Sequence, residues 1–284
     1  YLVEKHPDKL KADFAINEGA VAPVIIGGRT CHFIQTGEKG PAWIRLKTGG
    51  IAAHGSLPGL GDNAVIKMAL AIKKLADYRP AVQLIPEVKQ LMQTIARLQG
   101  FGGEIDEGGV DRVIDTLADK TLAAYLTAIT RITISPNEIQ GGVKTNIVPD
   151  SCEAQLDIRI LPGQEEEGLM KELARITGEA GMEMMQFSAP TFSTADSAHY
   201  KLIRDNLKGF VGEDEVLPCI SSGATDSRFL REAGTPSYGI DMMTLNPGTA
   251  IARTVHGKDE RIDIASLRLK AAFLEQLAVK YLCN

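Results

Sequence analysis

Several residues of this chain stand where their chemistry could be used. Glu18 closes the apolar stretch "DFAIN" and is followed by Gly19, which leaves the backbone free to turn. The segment "SSGATDS", Ser221 to Ser227, follows the buried-strand pattern "VLPCI" and opens a helix. His256, in "RTVHGKDER", precedes the last helical pattern. In open α/β sheets ligands bind at the carboxyl ends of strands, where all three fall. A carboxylate and a neutral imidazole converging on one crevice suit Zn²⁺. His54 sits in the small-residue loop "AAHGSLPG", where packing does not bury an imidazole. In "CEAQLDIRI" strand alternation puts Arg159 on a polar face, where a guanidinium can grip a carboxylate with two hydrogen bonds. Taken singly, each has a commoner structural explanation: a capping or solvated Glu18, loop histidines, and an Arg159–Asp157 or Arg–Glu surface pair.

The elements that must position these residues alternate. A helical "YLVEKHPDKLKA" leads to "DFAIN", then Gly27-Gly28, then "TCHFIQTG". "AWIRLKTGG" alternates as a strand as far as Lys47, and residues 63–78 carry an apolar helical stripe through Val65, Ile66, Ala69, Leu70, Ile72 and Leu75. Two further helical patterns occupy about 80–128, separated by "GFGGEIDEGG". "RITISPNEI" and "SCEAQLDIRI" are strands flanking the loop "QGGVKTNIVPD". A helix over "EEEGLMKELARITGEAG" and a strand "EMMQFSA" follow. After Pro190, Ser193 or Thr194 is placed to cap a helix through Leu207, and Asp263 to cap the last one. Strands alternating with helices predict a mostly parallel sheet. The layout is α/β, an inserted α+β unit, then α/β again.

The 284 residues, 44% hydrophobic and 24% charged, suffice for one or two globular domains with cores. A formal charge of −5 leaves no basic surplus for nucleic acid. No apolar run reaches membrane-spanning length. Four dispersed cysteines, without a C-x-x-C pair, read as reduced thiols and point to a cytoplasmic setting. No phosphate-binding glycine motif occurs, and no G-x-S-x-G elbow supports Ser221 or Ser222 as a nucleophile.

In order, "AAHGSLPGLGDNAV", "GGVKTNIVPDSCEAQLDIRILPG", "SGATDSRF" and "VHGKDERI" resemble the dinuclear zinc hydrolases that include acetylornithine deacetylase, succinyl-diaminopimelate desuccinylase, aminoacylase and glutamate carboxypeptidase. The resemblance implies an α/β catalytic domain, residues 1–38 and 191–284, interrupted by an α+β lid, residues 39–190, that mediates homodimer formation. Extra helical sequence at about 77–129 would belong to the lid and resembles the longer carboxypeptidase-like members. By the same likeness Glu18 and His256 would be zinc ligands. His54 would reach across the dimer to stabilise the oxyanion. Asn146 and Arg159 would hold the substrate's carboxylate end, and Gly223, Ala224 and Thr225 would line the pocket. Asp226 would cap its helix.

The family's bridging aspartate, H-x-D ligands and Glu-Glu pair have no counterpart in this sequence, which opens without an initiator Met as if inside a helix. The expectation is therefore the C-terminal part of a zinc-dependent amidohydrolase or metallopeptidase acting on an N-acyl amino acid or small peptide. Its catalytic sheet would be incomplete, and the chain alone would be inactive and bind metal weakly. The competing expectation is a non-catalytic dimerisation or binding module.

Overall fold

The computed structural model describes residues 1–19, 21–244 and 257–283. The chain divides into two compact units. One comprises Tyr1–Glu38, Leu84–Ile129 and Thr191–Asn284; the other comprises Lys39–Gln83 and Thr130–Pro190.

The first unit is organised on the strand Arg29–Glu38, buried from Cys31 onward on both faces, so it reads as a continuous run rather than an alternation. Along one edge it pairs in parallel with Glu215–Ser221, from Cys31↔Glu215 to Glu38↔Ser221. Along the other it pairs antiparallel with Val24–Ile26, Ser237–Ile240 and Thr191–Phe192. Ala15–Asn17 extends the sheet by pairing in parallel with Ser237–Ile240. The α/β class is as the sequence implies, but the sheet is mixed rather than mostly parallel. One cause is visible at Gly27 and Gly28, with φ of 56° and 78°. They turn the chain within two residues, far too few for the crossover that parallel pairing needs.

Helices Ala198–Val211 and Ile264–Leu282 bury Tyr200, Ile203, Leu207, Phe273 and Leu277 against Ile34, Val216 and Tyr238. The cap of the first is Ser197, whose Oγ accepts from Tyr200 N at 2.9 Å, rather than Ser193 or Thr194. Ser193 is instead held along the sheet, its N–H donating to Thr36 O. Asp263 caps the last helix as expected, accepting from Ser266 N at 2.8 Å.

The sequence assigned the helical stretch at 77–129 to the inserted unit. In the structure Leu84–Ile129 groups with the first unit. Helix Pro86–Leu98 packs on the strand Glu215–Ser221. Tyr125 donates its hydroxyl to Ile220 O at 2.7 Å, and Glu87 accepts from Ala195 N at 3.1 Å. Helical periodicity shows which face is buried and not which sheet it is buried against.

The second unit is a four-stranded antiparallel sheet in the order Thr133–Gly141, Ser151–Ile160, Gly40–Gly49, Gly181–Phe187. Ala42, Ile44, Leu46, Ala154, Leu156 and Ile158 face helices Ala64–Asp77 and Glu166–Thr177, which contribute Met68, Leu75, Leu169 and Leu173 to the core. Asn63 fixes the start of the first helix, its Oδ1 accepting from Val65 N and Ile66 N. The alternate residues Trp43, Arg45, Lys47, Glu153, Gln155, Asp157 and Arg159 form the opposite, polar face. No helix among the described residues is long and apolar enough to cross a membrane.

Leu156 is 2% exposed at the centre of this core. Leu156→Ala is expected to lower the unfolding free energy by about 2–5 kcal/mol, measured by denaturant titration.

Candidate active site

In the first unit the segment after Ser221 is held by hydrogen bonds from several directions. Gly223 N donates to Ser221 Oγ at 3.1 Å. Thr225 N and Thr225 Oγ1 both donate to Glu38 Oε2, at 2.9 and 2.8 Å. Ser227 N donates to Thr225 Oγ1 at 3.2 Å. Asp226 occupies the helix N-cap without a capping hydrogen bond from its side chain; the Arg228 and Phe229 N–H groups it would receive donate instead to the backbone, Thr225 O at 3.3 Å and Asp226 O at 3.2 Å. Glu38 and Arg231, whose side chains are 2% and 3% exposed, approach to 3.7 Å. Burial pushes the Glu38 carboxyl up, against the opposing pull of Thr225 and Arg231, and pushes the Arg231 guanidinium down. Neither residue was singled out in the sequence: "TGEKG" reads as a surface turn and "FLREAG" as the end of an amphipathic helix.

Glu18 is exposed, directly after Ala15–Asn17. That strand runs antiparallel to Glu215–Ser221, so Glu18 and the Gly223–Thr225 segment leave the sheet in opposite directions. Their segments are linked through Asn17, whose Nδ2 donates to Ser227 Oγ at 3.2 Å. Gly19 has a φ of 126°, and a Cβ there would collide with the Gln35 side chain. The turn behind Glu18 therefore requires glycine. His256 lies outside the described residues. Among the described residues no group of three or more His, Cys, Asp or Glu converges to hold a metal ion. Glu18, a single exposed carboxylate, does not by itself make a dinuclear zinc centre.

In the second unit His54 and Asn146 come together. Ala53–His54 pairs antiparallel with Ile147–Val148, and Gly55 N donates to Asn146 O at 2.8 Å. A Cβ on Gly55 would stand 3.0 Å from the Asn146 carbonyl carbon, a tight contact that would press on the Asn146 backbone. His54 Nδ1 accepts from Ser56 N at 3.2 Å and lies 2.8 Å from Ser56 Oγ. A ring nitrogen that accepts from a backbone N–H carries no proton, which places the proton of the neutral ring on Nε2.

Arg159 is elsewhere in the same unit. It stands opposite Pro41 and Thr133, while the strand end nearest Asn146 is Ser151, opposite Gly49. The strand alone spans roughly 25 Å between them at about 3.3 Å per residue. Arg159 Nε and Nη2 donate to Asp157 Oδ1 and Oδ2 at 2.7 and 3.0 Å. The surface pair anticipated as the commoner alternative is thus the arrangement found here. Buried beside it is Lys39, which donates to Arg131 O at 2.7 Å and Thr133 Oγ1 at 3.2 Å. Burial, with Arg159 adding repulsion and Asp157 opposing, pushes the Lys39 ammonium down to about 7.

A two-unit α/β protein with an inserted α+β unit, carrying His54 and Arg159 on that insert, defines the class. A family model described as a peptidase dimerisation domain matches residues 36–185. The chain belongs to this M20 peptidase family. It is 25% identical over 294 aligned positions to a probable succinyl-diaminopimelate desuccinylase of Staphylococcus aureus, covering 98% of this chain and 65% of that protein. It is 25% identical to aminoacylase-1 of Mus musculus over 87% of this chain and 52% of that protein. The fold is that of an M20 family metallo-carboxypeptidase from Sulfolobus solfataricus, with a TM-score of 0.65 at 21% identity over 97% of this chain and 65% of the other. The chain thus spans between half and two thirds of the length of these relatives.

Burial of Lys39 makes stability depend on pH. Its folded pKa near 7 lies below its ordinary value of 10.5, so between those limits the unfolded chain binds more protons and stability rises with pH. This contribution is complete above about pH 10 and is lost as pH falls through about 7. The unfolding free energy of the wild type minus that of Lys39→Met should therefore rise by several kcal/mol, order of magnitude, from pH 6 to pH 10. Denaturant titrations at each pH measure it, and a difference independent of pH would show Lys39 to be charged throughout.

Proposed function

We propose that the protein hydrolyses an amide or peptide bond adjacent to a substrate carboxylate, acting as a homodimer on an N-acyl amino acid or small peptide. The observation that carries this is the match of residues 36–185 to the peptidase dimerisation domain. The relatives named as a desuccinylase and an aminoacylase support the bond type.

His54, with its proton on Nε2, donates to the scissile carbonyl and to the oxyanion that replaces it. Asn146, held beside it through Gly55, adds an amide to the same site. Arg159 grips the substrate carboxylate, with Nη1 lying outside the pair to Asp157. The strand length between Arg159 and the His54–Asn146 pair favours their serving different active centres. His54 and Asn146 of one protomer would then complete a site whose Arg159 belongs to the other. For the dimer contact, helix Ala64–Asp77 exposes Ile66 and Leu70. The neighbouring edge strand Thr133–Gly141 exposes Ile139 and an unpaired row of backbone groups. Zinc is the expected cofactor from the resemblance, with Glu18 and His256 as proposed ligands, and the cytoplasm is the proposed location.

One observation favours a second reading. The described residues supply no converging metal donors, as in a non-catalytic dimerisation or binding module. For the same reason this chain alone is expected to be inactive.

Metal analysis and a screen of N-acyl amino acids and dipeptides, made on the full-length natural polypeptide, separate the two. The hydrolase reading expects bound zinc and metal-dependent turnover. Neither would leave the binding module standing. In an active protein, His54→Ala should lower kcat by about 10²–10³-fold. Arg159→Ala should raise KM by about 10–100-fold with a smaller effect on kcat.

The contact has its own check. Ile66→Asp combined with Leu70→Asp should yield monomers in sedimentation velocity and reduce turnover along with dimer content. A dimer that survives this double change would place the interface elsewhere.

A further inference from the structure

The Glu38 carboxyl is buried, and its two oxygens are treated unequally. Oε2 accepts from Thr225 N and Thr225 Oγ1 and lies 3.7 Å from Arg231 Nη1. Oε1 is buried with no hydrogen-bond partner among the described residues. Leaving a carboxyl oxygen desolvated and unpaired is costly, so the placement needs an explanation beyond packing. Arg231 does not exist mainly for Glu38 either. Its Nε and Nη2 donate to Ser237 O at 3.1 and 2.7 Å, its Nε also to Ser193 Oγ at 3.3 Å, and its Nη1 to Thr191 Oγ1 at 3.4 Å. Glu38 is thus spent chiefly on Thr225.

The consequence for Thr225 is specific. Its hydroxyl proton is committed to Glu38 Oε2, and one lone pair takes the Ser227 N–H. Its own backbone N–H is committed to the same Glu38 oxygen, and Gly223 N–H is committed to Ser221 Oγ. Both flanks of Ala224 are therefore pinned, and Ala224 is exposed between them.

We propose that Glu38 is a positioning residue: by accepting both donors of Thr225 it fixes the Gly223–Ala224–Thr225 segment in the conformation that meets substrate. This rests on the reading of that segment as part of the substrate pocket. Glu38 does not touch substrate itself. The substrate-facing groups of the segment are the backbone of Ala224 and the remaining Thr225 lone pair, with no hydroxyl proton left to give.

The test compares Glu38→Ala with Glu38→Gln in the full-length natural polypeptide. Both substitutions remove the negative charge facing Arg231, and alanine in addition strands the Thr225 donors and leaves a cavity, so it should lower the melting temperature more than glutamine does. Only glutamine keeps an acceptor oxygen for Thr225. Positioning therefore expects KM to rise about tenfold or more in the alanine variant and to recover most of that loss in the glutamine variant. A KM raised as much by Glu38→Gln as by Glu38→Ala, or one unchanged by Glu38→Ala, overturns the proposal. Amide exchange at Thr225 gives a second readout independent of turnover. It should accelerate about tenfold or more in Glu38→Ala and stay near wild type in Glu38→Gln. Unaltered exchange in the alanine variant overturns the proposal even if kinetics shift. A wild-type protein that hydrolyses none of the substrates overturns the hydrolase reading, while the exchange comparison still decides whether Glu38 holds the segment.

Discussion

The strand Arg29–Glu38 imposes the constraint on which the first unit depends. Paired along both edges and, from Cys31 onward, buried on both faces, it makes any polar group left unpaired costly. Thr36 meets this by donating its hydroxyl to Cys219 O at 3.0 Å. Glu38, at the strand's end, meets it only in part: Oε2 draws in Thr225 and Arg231, while Oε1 finds no hydrogen-bond partner among the described residues. The conformation of an exposed loop is thereby tied to the interior of the sheet. Asn17, Ser227, Ser237 and Ser193 extend the same tie, since Ser237 Oγ donates to Ser227 Oγ at 2.9 Å and Ser237 N donates to Ser193 Oγ at 3.0 Å. Low local dielectric strengthens such a chain of bonds and penalises any break in it.

In the second unit the governing constraint is alternation. With Ala42, Ile44 and Leu46 committed to the core, Trp43, Arg45 and Lys47 must face the other way, and the register carries Glu153, Asp157 and Arg159 onto that same face. Arg45 lies 3.5 Å from Glu153 and 3.3 Å from Glu183, and Lys47 lies 2.7 Å from Glu183. These exposed pairs contribute little stability each. Their effect is to leave the face chemically specific and resistant to a one-residue slip.

The sequence made the centre of this second sheet legible because Gly40–Gly49 and Ser151–Ile160 keep period two, and "CEAQLDIRI" alone orients Arg159 correctly. At 63–78 the apolar stripe located the helix but not its buried face, since Ile66 and Leu70 are exposed while Ala64, Met68, Ala71 and Leu75 are buried. What periodicity cannot carry is the identity of the surface a helix covers, and so Leu84–Ile129 was assigned to the wrong neighbour. Strand direction was misjudged for a related reason: alternating helices and strands suggest parallel pairing, but the glycine turn at Gly27–Gly28 decides otherwise. Among candidate site residues, the nearness of His54 and Asn146 follows from a two-residue ladder too short to show a pattern. Glu38 and Lys39 left no trace at all, since a Glu-Lys pair between glycines has the composition of a solvated turn. Their burial is a tertiary property.

Lys39 and the Arg159–Asp157 pair show how such burial changes the chemistry of a surface cation. Arg159 in a bidentate pair is not an unopposed charge, and an arriving carboxylate must share the guanidinium with Asp157. If Lys39 were fully charged, the cluster would carry a surplus positive charge and draw in anions without discrimination. Burial lowers that ammonium toward neutrality near pH 7, which leaves the cluster close to balanced. A carboxylate is then favoured less by the field of the cluster than by the geometry of the guanidinium edge left over from Asp157. Geometry of that kind distinguishes one carboxylate-bearing molecule from another, which net charge does not. On the proposal that Arg159 binds the substrate carboxylate, the buried lysine would shift that guanidinium from a collector of anions toward a reader of shape.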